Sequence, residues 1–306
     1  MFIMSLFTEA MASGDGESPG GNGSLPANFD TGYLNGFMQR KNSGGSEYSM
    51  PGSTDEPASP NMDDEFRFTE LYHPAQVLTG LNHLRNSLQF CDVVILAGGQ
   101  EFNCHRIVLA SFSPYFNAMF TGNLAESTQN RVTINDIEAS VMELIINYGY
   151  TSEVVINRQN VQALLSASNL LEILPVKEAC CQFLEQNMDE TNCIGIHCFA
   201  EAHACTELQQ RSKKYTLKNY TTVNLQDEFL QLPKDKLTEF LKDDSLNVES
   251  EESVFKSVLR WLDYSVETRK GDFERVLEHV RLPLMSPYFL FDVVEKHEVI
   301  AGSQRY

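Results

Sequence analysis

Five residues with metal-ligating side chains crowd one short stretch of the chain: Cys193, His197, Cys198, His203 and Cys205. Thiolate and imidazole are the donors of tetrahedral zinc, which needs four of them converging at about 2.0–2.3 Å. On a continuous helix over 192–205, advancing roughly 100° per residue, Cys193 and His197 share one face. Cys198 and Cys205 share another, and His203 points elsewhere. A single helix cannot close a tetrahedron from such a set, so no metal and no cofactor are expected. No basic surroundings mark any of these thiols as an activated nucleophile.

A second pairing, Asp92 with His105, places a carboxylate and an imidazole near one turn, which invites acid–base chemistry. No nucleophile or third member stands beside them, so a buried, hydrogen-bonded pair of framework residues is the expectation. Gly98-Gly99 reads as a turn, not a phosphate cradle. Neither a Ser/His/Asp arrangement nor His-Glu-x-x-His occurs in a supporting context. No catalytic residue is assigned, and the chain is not expected to be an enzyme.

The elements that carry these residues fall into two regimes. From Pro74 to Phe90, Val77, Leu78, Leu81, Leu84 and Leu88 recur at three- and four-residue steps, one stripe of an amphipathic helix. Asp92 to Leu96 and Glu101 to Cys104 are extended runs around Gly98-Gly99, a β-hairpin. Ser113-Pro114 starts a helix, serine capping the free amides and proline occupying the first helical position at no cost. A short strand is expected at Arg131–Ile134, then a helix from Asn135 or Asp136, then another strand at Val154–Ile156. Beyond that the pattern is helical: about 158–171, 176–187, 191–205, 207–222, 227–231, 233–242, 250–267, 272–279 and 286–297, punctuated by Pro175, Pro233, Pro283 and Pro287. Mixed α/β followed by all α is the pattern of two domains.

Residues 9 to about 66 contain ten of the 18 glycines, with Ser, Asn, Asp and several prolines. Such a segment buries too little apolar surface to offset its ordering entropy, and a disordered leader over 1–69 is expected. Phe29, Tyr33, Phe37 and Tyr48 are read as sporadic aromatics within it. The net charge of −19 argues against nucleic acid, whose phosphates need a basic face. No apolar run is long enough to span a bilayer, and no membrane partner is expected. Met1 to Phe7 is too brief for a signal peptide and lacks a basic flank. Seven cysteines, an odd number without scaffold spacing, point to a reducing compartment. The cytoplasm is therefore expected, with the nucleus left open because no strong basic cluster decides it. The sequons at Asn22 and Asn219 carry little weight in that setting.

Cys91-Asp92-Val93-Val94-Ile95, then Phe102, then His105 to Ala110 and Ser113-Pro114-Tyr115-Phe116-Asn117-Ala118-Met119-Phe120-Thr121-Gly122 resemble the BTB (POZ) core of Kelch-like proteins. The resemblance continues through Asn169-Leu170-Leu171. Asn192-Cys193-Ile194-Gly195-Ile196, Phe199-Ala200-Glu201, Leu246-Asn247-Val248, Trp261 and Val280-Arg281-Leu282-Pro283-Leu284 resemble the BACK domain of the same family. It implies an α+β BTB/POZ domain over 70–173 and an all-α BACK helical domain over 174–306. The ending Ala301 to Tyr306 does not look like the family's usual continuation, which leaves the completeness of the last BACK helices open.

The resemblance further implies a non-catalytic adaptor that homodimerises and binds cullin-3 as the substrate-recognition component of a ubiquitin ligase, acting on an unknown protein substrate. Family cullin binders carry an apolar-x-Glu triplet after the Tyr-Phe-x-x-Met-Phe helix, and Leu124-Ala125-Glu126 stands at that place. There an exposed apolar anchor would fill a partner's pocket beside an acid that adds specificity. Glu190 to Leu208 resembles the family's 3-box, with Ile194 and Phe199 as apolar candidates for the same partner. Val77, Leu78, Leu81, Leu84 and Leu88 are implied at a two-fold dimer interface, and the family uses Asp92 and His105 structurally. No Kelch propeller is expected within these 306 residues, so a second reading stays open: a dimerisation scaffold or inhibitor that forms heterodimers with full-length Kelch-like relatives without recruiting substrate.

Overall fold

A computed structural model describes residues 68–122, 128–294 and 296. Every element named below lies in one compact unit that begins at Tyr72. The expected leader lies outside the described residues, apart from its last two positions.

Helix α1 (His73–Asn86) opens the unit. The chain then leaves the helix with Leu88 and Phe90 both at positive φ, 57° and 59°, so Leu88 lies beyond the helix whose stripe it was expected to extend. Strands β1 (Val93–Ala97) and β2 (Gln100–Cys104) form the expected hairpin, in register from Val93 opposite Cys104 to Ala97 opposite Gln100. Gly98 and Gly99 make its turn at φ 53° and 79°, where a side chain would be strained. A Cβ on Gly98 would also come within 2.4 Å of the Ala139 amide nitrogen. Strand β3 (Arg131–Thr133) adds parallel to β1, giving the order β2-β1-β3.

Helices α2 (Arg106–Phe112), α3 (Pro114–Thr121), α4 (Ala139–Thr151), α5 (Val161–Leu170) and α6 (Leu174–Gln186) complete the first half. Ser113 caps α3 as expected: its Oγ accepts from the Phe116 amide at 3.2 Å and donates to the Leu171 carbonyl at 2.7 Å. Ile95, Leu109, Phe116, Met142, Ile145, Leu164 and Leu165 are completely buried in the core beneath the sheet.

Two local expectations are corrected here. Helix α4 starts at Ala139 and not at Asn135 or Asp136, because Asp136 sits at φ 63°, outside helical space. Val154–Ile156 is not a strand among the described residues. The Asn160 side-chain amide donates to the Val155 carbonyl at 2.8 Å, so a side chain takes a group that a ladder would need.

The second half is helical, as the pattern required: α7 (Cys193–Ala202), α8 (Thr206–Lys218), α9 (Tyr220–Val223), α10 (Asp227–Leu230), α11 (Lys234–Leu241), α12 (Glu251–Tyr264) and α13 (Val266–Leu277). Leu282–Leu284 is a 3-10 turn, and α14 (Pro287–Phe289) runs into a π-helical turn at Leu290–Val294. The stretches expected as 250–267 and 272–279 divide instead at Ser265, whose extended φ of −157° ends one helix and caps the next. A second core gathers around Trp261, Phe240, Phe255 and Phe273. Trp261 donates its indole N–H to the Leu232 carbonyl at 2.7 Å, and the Arg269 guanidinium stacks 4.4 Å from its ring.

The first core does not end with α6. Ile196, Phe199 and Ala200 of α7, with Cys205 and Leu208 at the start of α8, are packed into it, whereas Cys193 and Ile194 belong to the second. Helix α7 therefore serves both cores from opposite faces, which makes the two halves one continuous packed structure.

Candidate interaction surface

Helix α1 is poorly covered by the rest of the fold. It lies against α4, where the Arg85 guanidinium donates to Asn147 Oδ1 at 2.7 Å and stacks 4.6 Å from the Tyr150 ring. None of its residues is buried. Leu78, Leu81 and Leu84 are half-covered, Val77 is 46% exposed and Leu88, beyond the helix, is 66% exposed. An amphipathic helix normally buries its apolar stripe, whereas here Val77 stays accessible, as do Leu88 and Phe90 beyond the helix end.

At the hairpin's base, His105 is buried and fully engaged. Its Nε2 donates to the Gln89 carbonyl and its Nδ1 accepts from the Tyr150 hydroxyl, each at 2.9 Å. The same hydroxyl accepts from the His105 amide at 2.9 Å. Asp92 is exposed and accepts from the Arg106 amide at 2.8 Å. The two residues thus serve the framework separately, and the expected buried pair is corrected in that respect. Cys91 lies 3.9 Å from His105 Nε2, but burial and the Asp92 charge push its thiol up. No thiolate–imidazole couple is set up there.

Arg106 clasps the approach to the segment that follows α3. Its guanidinium hydrogen-bonds the Gln129 carbonyl, and it stacks 4.8 Å from the Phe120 ring. The triplet Leu124-Ala125-Glu126 itself lies outside the described residues. Ile194 and Phe199, the other two residues expected to touch a partner, are 4% and 9% exposed. Both side chains are core, so what they contribute to any surface is the position of α7.

Comparison with known proteins fits this geometry to a domain pair. The BTB/POZ domain family matches residues 81–188, and the BACK family, "BTB And C-terminal Kelch", matches residues 193–295. The chain is a BTB–BACK protein. Solved structures similar to it include the BTB domain of zebrafish PATZ1, at 28% identity over 40% of this chain and 100% of that one, with a TM-score of 0.37. The BTB domain of human Gigaxonin matches at 26% identity over 39% of this chain and 98% of that one, with a TM-score of 0.36. BTB domains mediate protein–protein interaction and dimerisation, and BTB–BACK proteins are typically non-catalytic adaptors.

In this BTB–BACK chain the seam between the domains is held by polar contacts as well as by packing. Lys177 of α6 donates to Asn169 Oδ1 at 2.7 Å and to the His203 carbonyl, at the end of α7, at 3.1 Å. Helix α7 stops at Ala202, and Ala204 turns the chain at φ 52°. Cys205 therefore stands at the N-cap of α8, off the single helix on which the cysteine and histidine faces were counted. His197 Nδ1 hydrogen-bonds the Gln209 carbonyl at 3.1 Å, and His203 Nε2 lies 3.2 Å from Ser166 Oγ. No metal-holding cluster of His, Cys, Asp and Glu occurs among the described residues.

Two BACK features escaped sequence reasoning. Glu228 of α10 accepts from the Gly195 amide at 3.0 Å, capping the first turn of α7 from 33 residues away. Its signal was Gly195 itself: a Cβ there would meet Glu228 Oε1 at 2.5 Å. The second is a charge lattice joining α7, α8 and α11. Lys236 pairs with Glu201 at 2.6 Å and Glu239 at 2.9 Å, while Lys213 pairs with Glu239 at 3.3 Å and Asp243 at 3.1 Å.

Proposed function

We propose that this BTB–BACK protein is a dimeric adaptor that binds cullin-3 and presents a protein substrate to the ubiquitin ligase built on it. The observation that carries the reading is the junction of the two domains. Helix α7 packs into both cores, so BTB and BACK surfaces are held in one fixed relation. A partner that must be gripped across both domains gains from such rigidity, because no ordering of the domains is needed on binding.

The resemblance puts the partner's apolar anchor at Leu124 with Glu126 beside it. Helix α3 and the Arg106 clasp hold the described ends of that segment, and Ile194 and Phe199 fix α7 from beneath. Val77, Leu78, Leu81, Leu84 and Leu88 supply the two-fold contact with a second copy, where one self-complementary patch serves both chains. Such an adaptor would work in the cytoplasm, where the ligase and a reducing environment coincide.

Titration of the purified chain with the cullin-3 N-terminal domain, read by calorimetry, tests the proposal. Submicromolar binding at one cullin per protomer is the expected result, with at least a tenfold loss in the Leu124→Ala, Glu126→Ala double variant. Absence of binding by a folded wild-type dimer would sink the adaptor reading. Equal binding by the double variant would move the contact elsewhere. Co-purification of differently tagged chains tests the alternative pairing with Kelch-bearing relatives.

A further inference from the structure

His197 of α7 is completely buried, and its two ring nitrogens meet opposite surroundings. Nδ1 lies 3.1 Å from the Gln209 carbonyl. A carbonyl only accepts, so Nδ1 carries the proton of the neutral ring. Nε2 is then a bare lone pair, and it has no hydrogen-bond partner among the described residues. It faces Glu239 Oε1 of α11 at 3.9 Å, one acceptor opposite another. A buried polar atom left in this way is costly, and a single added proton removes the conflict. From this geometry we infer that His197 and Glu239 form a proton-operated latch between α7 and α11.

Glu239 is already tethered on both oxygens. Oε2 pairs with Lys236 at 2.9 Å, and Oε1 pairs with Lys213 of α8 at 3.3 Å. Burial pushes the Glu239 carboxyl up, but the Lys236 and Lys213 ammoniums outweigh it and hold the group below its ordinary pKa. When Nε2 takes a proton from solvent, the imidazolium donates to Oε1. That oxygen passes from the α8 lysine to the α7 histidine. Lys213 keeps Asp243, 3.1 Å away, and Lys236 keeps Oε2. The gap closes by a swing of the Glu239 side chain, which is 34% exposed. His197 itself stays between the Gln209 carbonyl and the Phe240 ring, whose centroid lies 5.4 Å away. One proton thus trades an α8–α11 tie for an α7–α11 tie. Helix α7 is packed into both cores and α11 into the second, so the trade acts on the junction of the two domains.

The charges around the ring come from each neighbouring helix. Glu201 stands on α7, Lys213 on α8, and Lys236 and Glu239 on α11, while Glu228 of α10 is engaged at the Gly195 amide. Burial holds the imidazole below its ordinary pKa, and the Gln209 carbonyl and Glu239 oppose that effect. The unfolded chain therefore protonates first, and stability falls as pH drops below about 6.5. The fall stops when folded His197 takes its own proton and the latch closes.

Nitrogen-resolved NMR of the intact chain, labelled at histidine and with the His197 signals assigned by through-bond correlation, tests this. At about pH 8 the ring is neutral and its proton should sit on Nδ1. Acidification should then add one to Nε2 while the chain remains folded. Glu239→Gln should weaken that protonation roughly tenfold, because it removes the charge that receives the proton. Glu201→Gln should change it far less, since that carboxylate is bound to Lys236 at 2.6 Å and makes no bond to the ring. Lys213→Met, which leaves Oε1 to the ring, should strengthen it. A proton on Nε2 at neutral pH, a ring that stays neutral until the chain unfolds, equal shifts in the two glutamine variants, or a weakening in Lys213→Met would each overturn the inference.

Discussion

The Glu228 carboxylate sits 3.0 Å from the backbone amide of Gly195, closing the amino end of a helix that both domains share. A carboxylate is favoured there by the unpaired amides and the helix dipole. Burial opposes that preference more strongly and raises the Glu228 pKa to about 7, against the lowering by the Gly195 and Ile194 amides.

The consequence for stability follows from linkage. Below about pH 4.5 the carboxyl is protonated in folded and unfolded chains alike. Between there and about pH 7 the unfolded chain ionises while the folded one stays neutral, so the contribution of Glu228 to stability falls as pH rises. Glu228→Gln cannot ionise and keeps an acceptor for the Gly195 amide. Its stability relative to wild type should therefore improve by about 1–3 kcal/mol between pH 4.5 and 8. Urea unfolding of both proteins across that range checks the sign, and a difference that moves the other way would mean the helix end outweighs burial.

Tyr150 gives a second expectation. Its hydroxyl serves the His105 amide and Nδ1 together, while its ring carries the Arg85 contact. Tyr150→Phe keeps the ring and the cation–π geometry but strands two buried polar atoms. A cost of about 2 kcal/mol or more is expected, since each buried group left unpaired costs about 1–3 kcal/mol. Chemical denaturation with an unchanged slope measures it. A loss under about 0.5 kcal/mol would show that water or a tautomer shift satisfies His105 instead.

What was legible in the sequence was what local physics decides. Ser113-Pro114 starts a helix wherever its neighbours lie, and Gly98-Gly99 turns a hairpin through its own torsions. Val154–Ile156 failed because a strand requires a partner, and the Asn160 side chain competes for its backbone. Ile194 and Phe199 show the same limit at the candidate site. A helical stripe marks which residues are apolar, but α7 has cores on two faces, so nothing in its pattern separates an exposed anchor from a buried one. Glu228 was invisible for a related reason: its partner lies on another helix, and only the glycine opposite it left a trace.

Helix α1 forms where the sequence placed it, but Leu88 falls beyond its end, and the fold covers only part of the expected stripe. Val77 and Leu88 protrude from it, 46% and 66% exposed. If α1 packs on its two-fold mate, Val77→Glu with Leu88→Glu places four carboxylates in one apolar interface, two from each chain. Burying unpaired charge there costs several kcal/mol, enough to weaken association by a hundredfold or more. The single chain should barely notice, because substitutions at exposed positions usually change stability by about 0.5 kcal/mol or less. Light scattering should find wild type at twice the chain mass and the double variant at the chain mass, with unchanged circular dichroism. A variant that stays dimeric would place the two-fold contact on another face of the BTB domain.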